Sequence, residues 1–472
     1  MNLLIVGDDP TKIGGVTNYT RPLANQLAAS GVNVHYVYNT TMNQEYDFGP
    51  MRVERFNRDG VHYYWLRNGK AMVFNYHDLD LDTNDWFDKL FIEIMETDKF
   101  DVVHINELFG FSTNVIHIAK QFGAKVISTI HDYWWLCPQK VMVDHNRQVC
   151  DGPSNMDKCV QCVEDRSQGH RPNIKKFQYK LRNTMPAVYK PVVSKIKAMK
   201  RSHYPVVPLD VLESSEIIAT DNPLKAKLQN RLDKLVAAMN ACDQITCVSN
   251  DVKRILTQYG VNPEVCVVDH IGSTIAEKEW QLRTDWQPKE KISFGFIGGM
   301  SYYKGVHLIL QAYMRLPDLL KQKATIDIYG GGDPGYVQAL ENLLETGSHL
   351  DKQNIRLHGR YTPDQIEAIG KSIDVSILPS MCADTAPQTI FESFSSGLPI
   401  LGPDIGGFSD FIHHGKNGLI FKYGDPDSLS NAMRELIENP ETISSFCLNI
   451  TPSKKMSTHI NDMKRVYSEI VA

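Results

Sequence analysis

The chain reads as an α/β protein built from two Rossmann-like, doubly wound parallel-sheet domains. Three observations predict it. Short apolar runs recur that end at glycines or polar loop residues, helical patterns follow those loops, and 472 residues suit two domains of ordinary size. Runs that are apolar throughout, rather than alternating, are what strands buried on both faces of a parallel sheet require.

The first strand is Asn2-Leu3-Leu4-Ile5-Val6-Gly7, and Gly14-Gly15-Val16 leads into a helical stretch over 17–30. No Gly-x-Gly-x-x-Gly follows that strand, which argues against a dinucleotide-dependent dehydrogenase. Later strands are Asp101-Val102-Val103-His104-Ile105 and Lys125-Val126-Ile127-Ser128-Thr129-Ile130. His131 follows the second of them, a ligand position in such a sheet, and His104 and Glu107 are further candidates from the neighbouring strand end. Residues 1–275 form the predicted N-terminal domain, with insertions at 137–162 and 166–209. The pattern breaks over 272–291, and a second domain spans 290–452 before a last helix over 455–472.

The second half repeats the strand, loop, helix order. Ile292-Ser293-Phe294-Gly295-Phe296-Ile297-Gly298-Gly299 runs into Ser301-Tyr302-Tyr303-Lys304-Gly305 and a helical pattern over 306–316. Glycines permit close backbone approach, and Lys304 at the helix start supplies a point charge for a phosphate. Strand-then-glycine recurs at Gly330-Gly331-Gly332-Asp333, at His358-Gly359-Arg360-Tyr361 and around Gly406-Gly407. The strand Asp374-Val375-Ser376-Ile377-Leu378-Pro379 ends in a loop, and 388–396 reads as a helix whose first turn follows Pro387. Free amides and the helix dipole then favour an anion near Asp384, Thr385, Ala386, Pro387, Gln388 and Thr389, and a diphosphate fits there. Glu392, about one turn into that helix, can reach a ligand's hydroxyls with two acceptor oxygens.

The order strand-Gly-Gly-x4-Lys-Gly, Gly-Gly-Gly-Asp, His-Gly-Arg-Tyr, Asp-Val-Ser-Ile-Leu-Pro-Ser, Asp-x7-Glu, Gly-Leu-Pro-Ile, Gly-Gly resembles the retaining glycosyltransferases of family 4, of the bacterial surface-polysaccharide type. The resemblance covers nearly the whole chain. It implies the GT-B fold, two Rossmann-like domains facing a cleft, with the last helix crossing back to the first domain. It also implies a nucleoside diphosphate sugar as donor. Lys304 would bind its diphosphate with the backbone at Gly14, Gly15, Gly298 and Gly299. Glu392 would take the ribose hydroxyls, Asp384 the transferring sugar, the Tyr361 region the base, and His131 a place beside sugar and acceptor. His131, Lys304, Asp384 and Glu392 are the implied catalytic set, and the transfer step needs no catalytic metal. Two departures stand out: the family usually has an arginine where Gly299 stands and a glutamate where Asp384 stands.

The implied reaction is transfer of a hexosyl group to an acceptor hydroxyl with retention, the acceptor being a glycan or polyprenyl-linked glycan in surface-polysaccharide biosynthesis. Two alternatives are a nucleotide-sugar epimerase on the same fold, which would act without an acceptor, and a non-catalytic membrane adaptor partner of another transferase. Retention of Lys304, Asp384 and Glu392 argues against the adaptor.

Four of the nine cysteines, Cys137, Cys150, Cys159 and Cys162, are spaced C-x12-C-x8-C-x2-C. The final C-x-x-C and the expected cytoplasmic setting favour structural zinc or reduced thiols over disulfides. Four thiolates would leave no open position for a substrate. Between Asp165 and Asp210 there is no acidic residue, while Arg166, Arg171, Lys175, Lys176, Lys180 and others are basic. Interleaved apolar residues make 166–209 suited to an anionic membrane surface, or to a pair of helices packed on the first domain with a solvated basic face. A sequence pI near 6.3 argues against general nucleic-acid binding. Met1-Asn2-Leu3 carries no basic leader and no stretch approaches a membrane span, so the expected location is cytoplasmic, and 166–209 offers a peripheral contact to the inner face of the cytoplasmic membrane.

Overall fold

The computed structural model describes residues 1–12, 14–39, 52–67, 85–167, 221–277 and 283–472, with 181, 184–185, 189, 191, 206–209 and 217 between them. The chain divides into two units, one of Met1–Lys197, Glu213–Gly272 and Met456–Ala472, the other of Ala198–Leu212 and Ser273–Lys455.

In the first unit the chain order is β1 (Asn2–Val6), α1 (Gly15–Ala29), β2 (Asn33–Asn39), β3 (Arg52–Arg58), β4 (Val61–Arg67), α2 (Asp85–Thr97), β5 (Val102–Ile105), α3 (Asn114–Gln121) and β6 (Lys125–Ile130). It continues through α4 (Met156–Ser167), α5 (Pro223–Asn240), β7 (Gln244–Cys247), α6 (Asn250–Gln258) and β8 (Cys266–Val268). The sheet order is β3-β4-β2-β1-β5-β6-β7-β8. Every neighbouring pair is parallel except β3 and β4, a hairpin turned by Asp59 and Gly60, both at positive φ as a two-residue turn requires. Leu3, Leu4, Ile5 and Val6 are fully buried, so the all-apolar run is a central strand covered on both faces. The strand order reverses at β1, which pairs with both β2 and β5. Ligands of such sheets bind beyond the carboxyl ends of the strands at that point.

The second unit runs β9 (Ile292–Ile297), α7 (Val306–Met314), α8 (Asp318–Lys321), β10 (Ala324–Tyr329), α9 (Pro334–Glu345), α10 (His349–Asn354), β11 (Ile355–Gly359) and α11 (Ile366–Ser372). After these come β12 (Val375–Ile377), α12 (Gln388–Ser395), β13 (Ile400–Pro403), β14 (Gly418–Phe421), α13 (Pro426–Glu438) and α14 (Glu441–Leu448). Its sheet, β11-β10-β9-β12-β13-β14, is parallel throughout and reverses at β9. The strand drawn from sequence over 374–379 is ladder-paired only at Val375–Ile377. Asp374 is instead a buried anchor whose carboxylate accepts from Trp286 Nε1 (2.9 Å), Ser293 N–H (2.9 Å) and Lys289 Nζ (2.5 Å). It ties the segment entering β9 to the start of β12.

The last helix, α15 (Met456–Val471), belongs to the first unit and packs on α1. Tyr19 Oη and His459 Nε2 lie 2.7 Å apart, His459 Nδ1 is 3.5 Å from Asp269, and His104 Nδ1 is 2.7 Å from Tyr467 Oη. His104 is fully buried and its other nitrogen meets Thr129 Oγ1 at 2.7 Å, which makes it a docking residue for α15 rather than a ligand position. Burial holds its imidazole down at about 3, so the ring is neutral. Tyr467→Phe strips one buried partner from that ring and is expected to cost about 1–2 kcal/mol in denaturant unfolding, with no change in the fold.

Among the described residues no helix is long and apolar enough to cross a membrane. The basic segment lies outside the described residues apart from scattered positions. Of these, Val207 N–H donates to Gly335 O at 3.3 Å, and residues 206–209 are grouped with the second unit rather than the first.

Candidate functional site

The second unit gathers Lys304, Asp384 and Glu392 at its switch point, where the loops after β9 and β12 meet. Lys304 ends a single 3-10 turn over Tyr302–Lys304, and Gly305 follows at φ 68. A Cβ at Gly305 would fall 1.8 Å from Pro379 O, so only glycine lets the two loops touch. The contact is completed by Met381 N–H, which donates to Tyr303 O at 2.8 Å. Lys304 Nζ then stands 3.1 Å from Asp384 Oδ2. The carboxylate of Asp384 raises the ammonium's pKa against the opposing effect of burial, so Lys304 is charged. Cys382 beside it is pushed up to about 12 by burial, which keeps the thiol protonated and no nucleophile. Gly406, at φ 62, lets a second loop close on the same turn: Gly407 N–H donates to Asp384 O at 2.9 Å.

α12 begins at Gln388 with Pro387 at its N-cap, a residue whose side chain makes no capping hydrogen bond. Ser393 Oγ bonds Ser376 Oγ at 2.9 Å, which locks this helix to β12. Thr385, Ala386 and Pro387 are buried, while Gln388 and Thr389 are half-buried at the helix start. Glu392 is half-buried one turn further on, and burial, partly offset by Lys304, pushes its carboxyl up to about 7. Tyr361 packs beside Ile297, Ile369, Ile373 and Leu398. Its phenol is pushed up to about 12 by burial and by the charge of Glu392. The second unit therefore offers a cation, two carboxylates, an aromatic ring and a helix N-terminus in one place, a set that can hold a diphosphate and hydroxyl groups.

Gly298 is half-buried and Gly299 exposed at the end of β9. A Cβ at Gly299 would meet nothing within 4 Å. Gly299→Arg should therefore fold normally, and a guanidinium there is expected to tighten nucleoside diphosphate binding about tenfold in calorimetric titration, through one further charge-assisted contact.

Gly14, Gly15 and His131 belong to the first unit. Cβ atoms at Gly14 or Gly15 would also meet nothing within 4 Å, so protein packing does not require glycine there. His131 stands at the carboxyl end of β6 with Nε2 3.0 Å from Asn106 Oδ1 and its ring centroid 4.8 Å from that of Tyr19. Burial brings its imidazole down to about 4, so it is neutral near pH 7. Glu107 is occupied by Lys140, at 2.9 Å, which also lies 3.3 Å from Asp132 and 4.2 Å from the Phe109 ring centroid. Sequence reasoning missed Tyr19, Asn106, Lys140 and His459 as neighbours of these candidates: Tyr19 and His459 come from distant stretches of chain, and Asn106 and Lys140 sit on strand-end loops whose approach no local pattern encodes.

Cys137, Cys150, Cys159 and Cys162 line one pocket, and none of the nine cysteines is in a disulfide.

Residues 13–149 match the family description "Glycosyltransferase Family 4" and residues 278–448 match "Glycosyl transferases group 1". Among solved structures, Anabaena HepE in complex with UDP superposes with a TM-score of 0.59 at 13% identity, covering 99% of this chain and 100% of that one. Sucrose-phosphate synthase from Thermosynechococcus elongatus gives 0.61 at 13% identity, covering 99% and 98%. These likenesses show the fold, which is GT-B. The two family matches together span about two thirds of the sequence, and the chain belongs to the family 4, group 1 glycosyltransferases. An uncharacterized glycosyltransferase of Methanocaldococcus jannaschii is 25% identical over 237 residues, 49% of this chain and 59% of that protein. The D-rhamnosyltransferase WbpZ of Pseudomonas aeruginosa is 25% identical over 237 residues, 49% of this chain and 57% of that protein. The matched stretches thus cover less than two thirds of these curated relatives.

Proposed function

We propose that this chain transfers a hexosyl group from a nucleoside diphosphate sugar to an acceptor hydroxyl with retention at the anomeric carbon. The observation that carries this reading is the convergence of Lys304, Asp384, Glu392 and the first turn of α12 at one switch point. The donor diphosphate would replace Asp384 as the partner of Lys304, freeing the carboxylate for hydroxyls of the transferring sugar. Glu392 would accept from the ribose hydroxyls, and Tyr361 would flank the base. Anabaena HepE, on the same fold, holds UDP and UDP-glucose, which supports a nucleotide-sugar donor. The first unit's part, by family resemblance, is the Gly14-Gly15 backbone toward the donor phosphates and neutral His131 toward the sugar.

In the transfer the bond from the anomeric carbon to the phosphate oxygen breaks, and one to the acceptor oxygen forms on the same face. The acceptor's proton passes to the leaving phosphate. Lys304 and the amides of Gln388 and Thr389 would stabilise the charge growing on that phosphate, which is electrostatic preorganisation and asks for no side-chain nucleophile.

The acceptor in this reading is a polyprenyl-linked glycan of surface-polysaccharide synthesis, met at the inner face of the cytoplasmic membrane. The run of basic and apolar residues over 166–209 supports an anionic, lipid-bearing partner. Supplying donors and a polyprenyl-diphosphate-linked sugar, then reading the anomeric configuration of the product by NMR, tests the reading. A retained linkage is expected. An inverted linkage, or donor consumption unchanged by acceptor, would contradict it.

A further inference from the structure

We propose that Cys137, Cys150, Cys159 and Cys162 hold one Zn2+ as four thiolates, and that this ion fixes the loop carrying Lys140 at the carboxyl ends of β5 and β6. Three separate pieces of backbone bring the sulfurs to one pocket, between Val143 and Val163. Cys137 sits in a turn, its N–H donating to Tyr133 O at 2.7 Å. Cys150 follows a small hairpin with a bridge between Val143 and Val149, its N–H donating to Met142 O at 2.8 Å. Cys159 and Cys162 lie three apart on α4 and so share a face of it. A turn, a hairpin and a helix each offering sulfur is how small structural zinc sites are assembled.

All four cysteines are half-buried and line a pocket that they share with the apolar side chains of Leu136, Met142 and Val143. The backbone also needs an anchor. Lys140, Met142 and Arg147 all have positive φ, at 69°, 47° and 63°, and such residues persist where their surroundings over-determine them.

As placed, no group of three or more His, Cys, Asp or Glu among the described residues holds a coordinating geometry. Cys150 Sγ donates instead to Gly152 O at 3.3 Å, and Cys162 Sγ lies 3.6 Å from His145 Nδ1. Zinc binding requires Cys150 and Cys162 to turn away from these partners. On binding, four Sγ–H bonds break, their protons leave to solvent, and four Sγ–Zn bonds form. Lys158, which lines the same pocket and lies 3.0 Å from Asp144, offsets part of the resulting negative charge. An all-sulfur set suits zinc and excludes magnesium and calcium.

Metal analysis of the purified full chain by plasma mass spectrometry tests this without reference to any transfer activity. About one zinc per chain is expected. It should be released to a chelating dye by a mercurial reagent, lost in Cys159→Ser and in Cys162→Ser, and kept in Cys242→Ser and His145→Ala. Should the serine variants fail to fold, exchanging Co2+ into the wild-type chain gives a second readout, the absorption of cobalt bound to thiolates. Zinc-free protein whose four thiols all react with iodoacetamide, a disulfide among them, iron in place of zinc, or zinc lost in His145→Ala would each overturn the four-thiolate assignment.

Discussion

Replacing Lys304 by alanine is expected to lower kcat/KM for sugar transfer by about 10²–10³-fold, the size of effect that follows from removing one preorganised donor at a site of developing charge. Stability should barely move. The Lys304 and Asp384 side chains are 37% and 21% exposed, and ion pairs with that access to water contribute little to folding. The two readouts separate chemistry from structure: nucleoside diphosphate release in a coupled assay should collapse, while the thermal midpoint stays within a few degrees. A variant that transfers at the wild-type rate would remove the diphosphate role of Lys304.

Glu392→Gln should move stability and binding in opposite directions. Burial raises this carboxyl from 4.5 to about 7. In the window between those values the unfolded chain has lost the proton that the folded chain retains, so stability falls as pH rises from about 4.5 through about 7 and is level above it. The neutral amide removes that penalty. The variant should therefore be more stable than wild type above pH 7, by about 1–3 kcal/mol, with the difference fading toward pH 4.5. Donor binding should be weakened at least tenfold in the same variant, because an ionised carboxylate accepting from two hydroxyls is replaced by a group with one acceptor oxygen. In wild type, binding should weaken as pH falls through about 7 and this glutamate takes up its proton. Denaturant titrations and calorimetry from pH 5 to 9 check both halves; a variant less stable than wild type at pH 8 would mean that the carboxylate is a structural partner.

What could be read from the sequence was whatever depends on neighbours along the chain. The strand at 2–6, the turn bearing Lys304 and the Asp384 to Glu392 spacing are each short and local, so composition and order reveal them. β3 and the aromatic, histidine-containing β2 were passed over. β3 is an edge strand whose Arg55 and Arg58 are exposed, and β2 mixes tyrosine and histidine with valine, so neither makes a purely apolar run. The supports of His131 were invisible for another reason. Tyr19 and His459 are 440 positions apart and His104 and Tyr467 are 363 apart, and nothing in either local stretch encodes its partner. His104 was read as a candidate because it follows the same strand-end rule as His131; the side chain turns into the core because Tyr467 and Thr129 satisfy both ring nitrogens there.

The proposed function stands on a nucleoside diphosphate sugar site built on Lys304 and Glu392. Its most direct test is a thermal-shift panel of nucleoside diphosphates and their sugars on wild type, Lys304→Ala and Glu392→Gln. One base family should raise the wild-type midpoint in a concentration-dependent way, with the shift reduced in Lys304→Ala and abolished in Glu392→Gln. No shift with any nucleotide, or equal shifts in all three proteins, would contradict it.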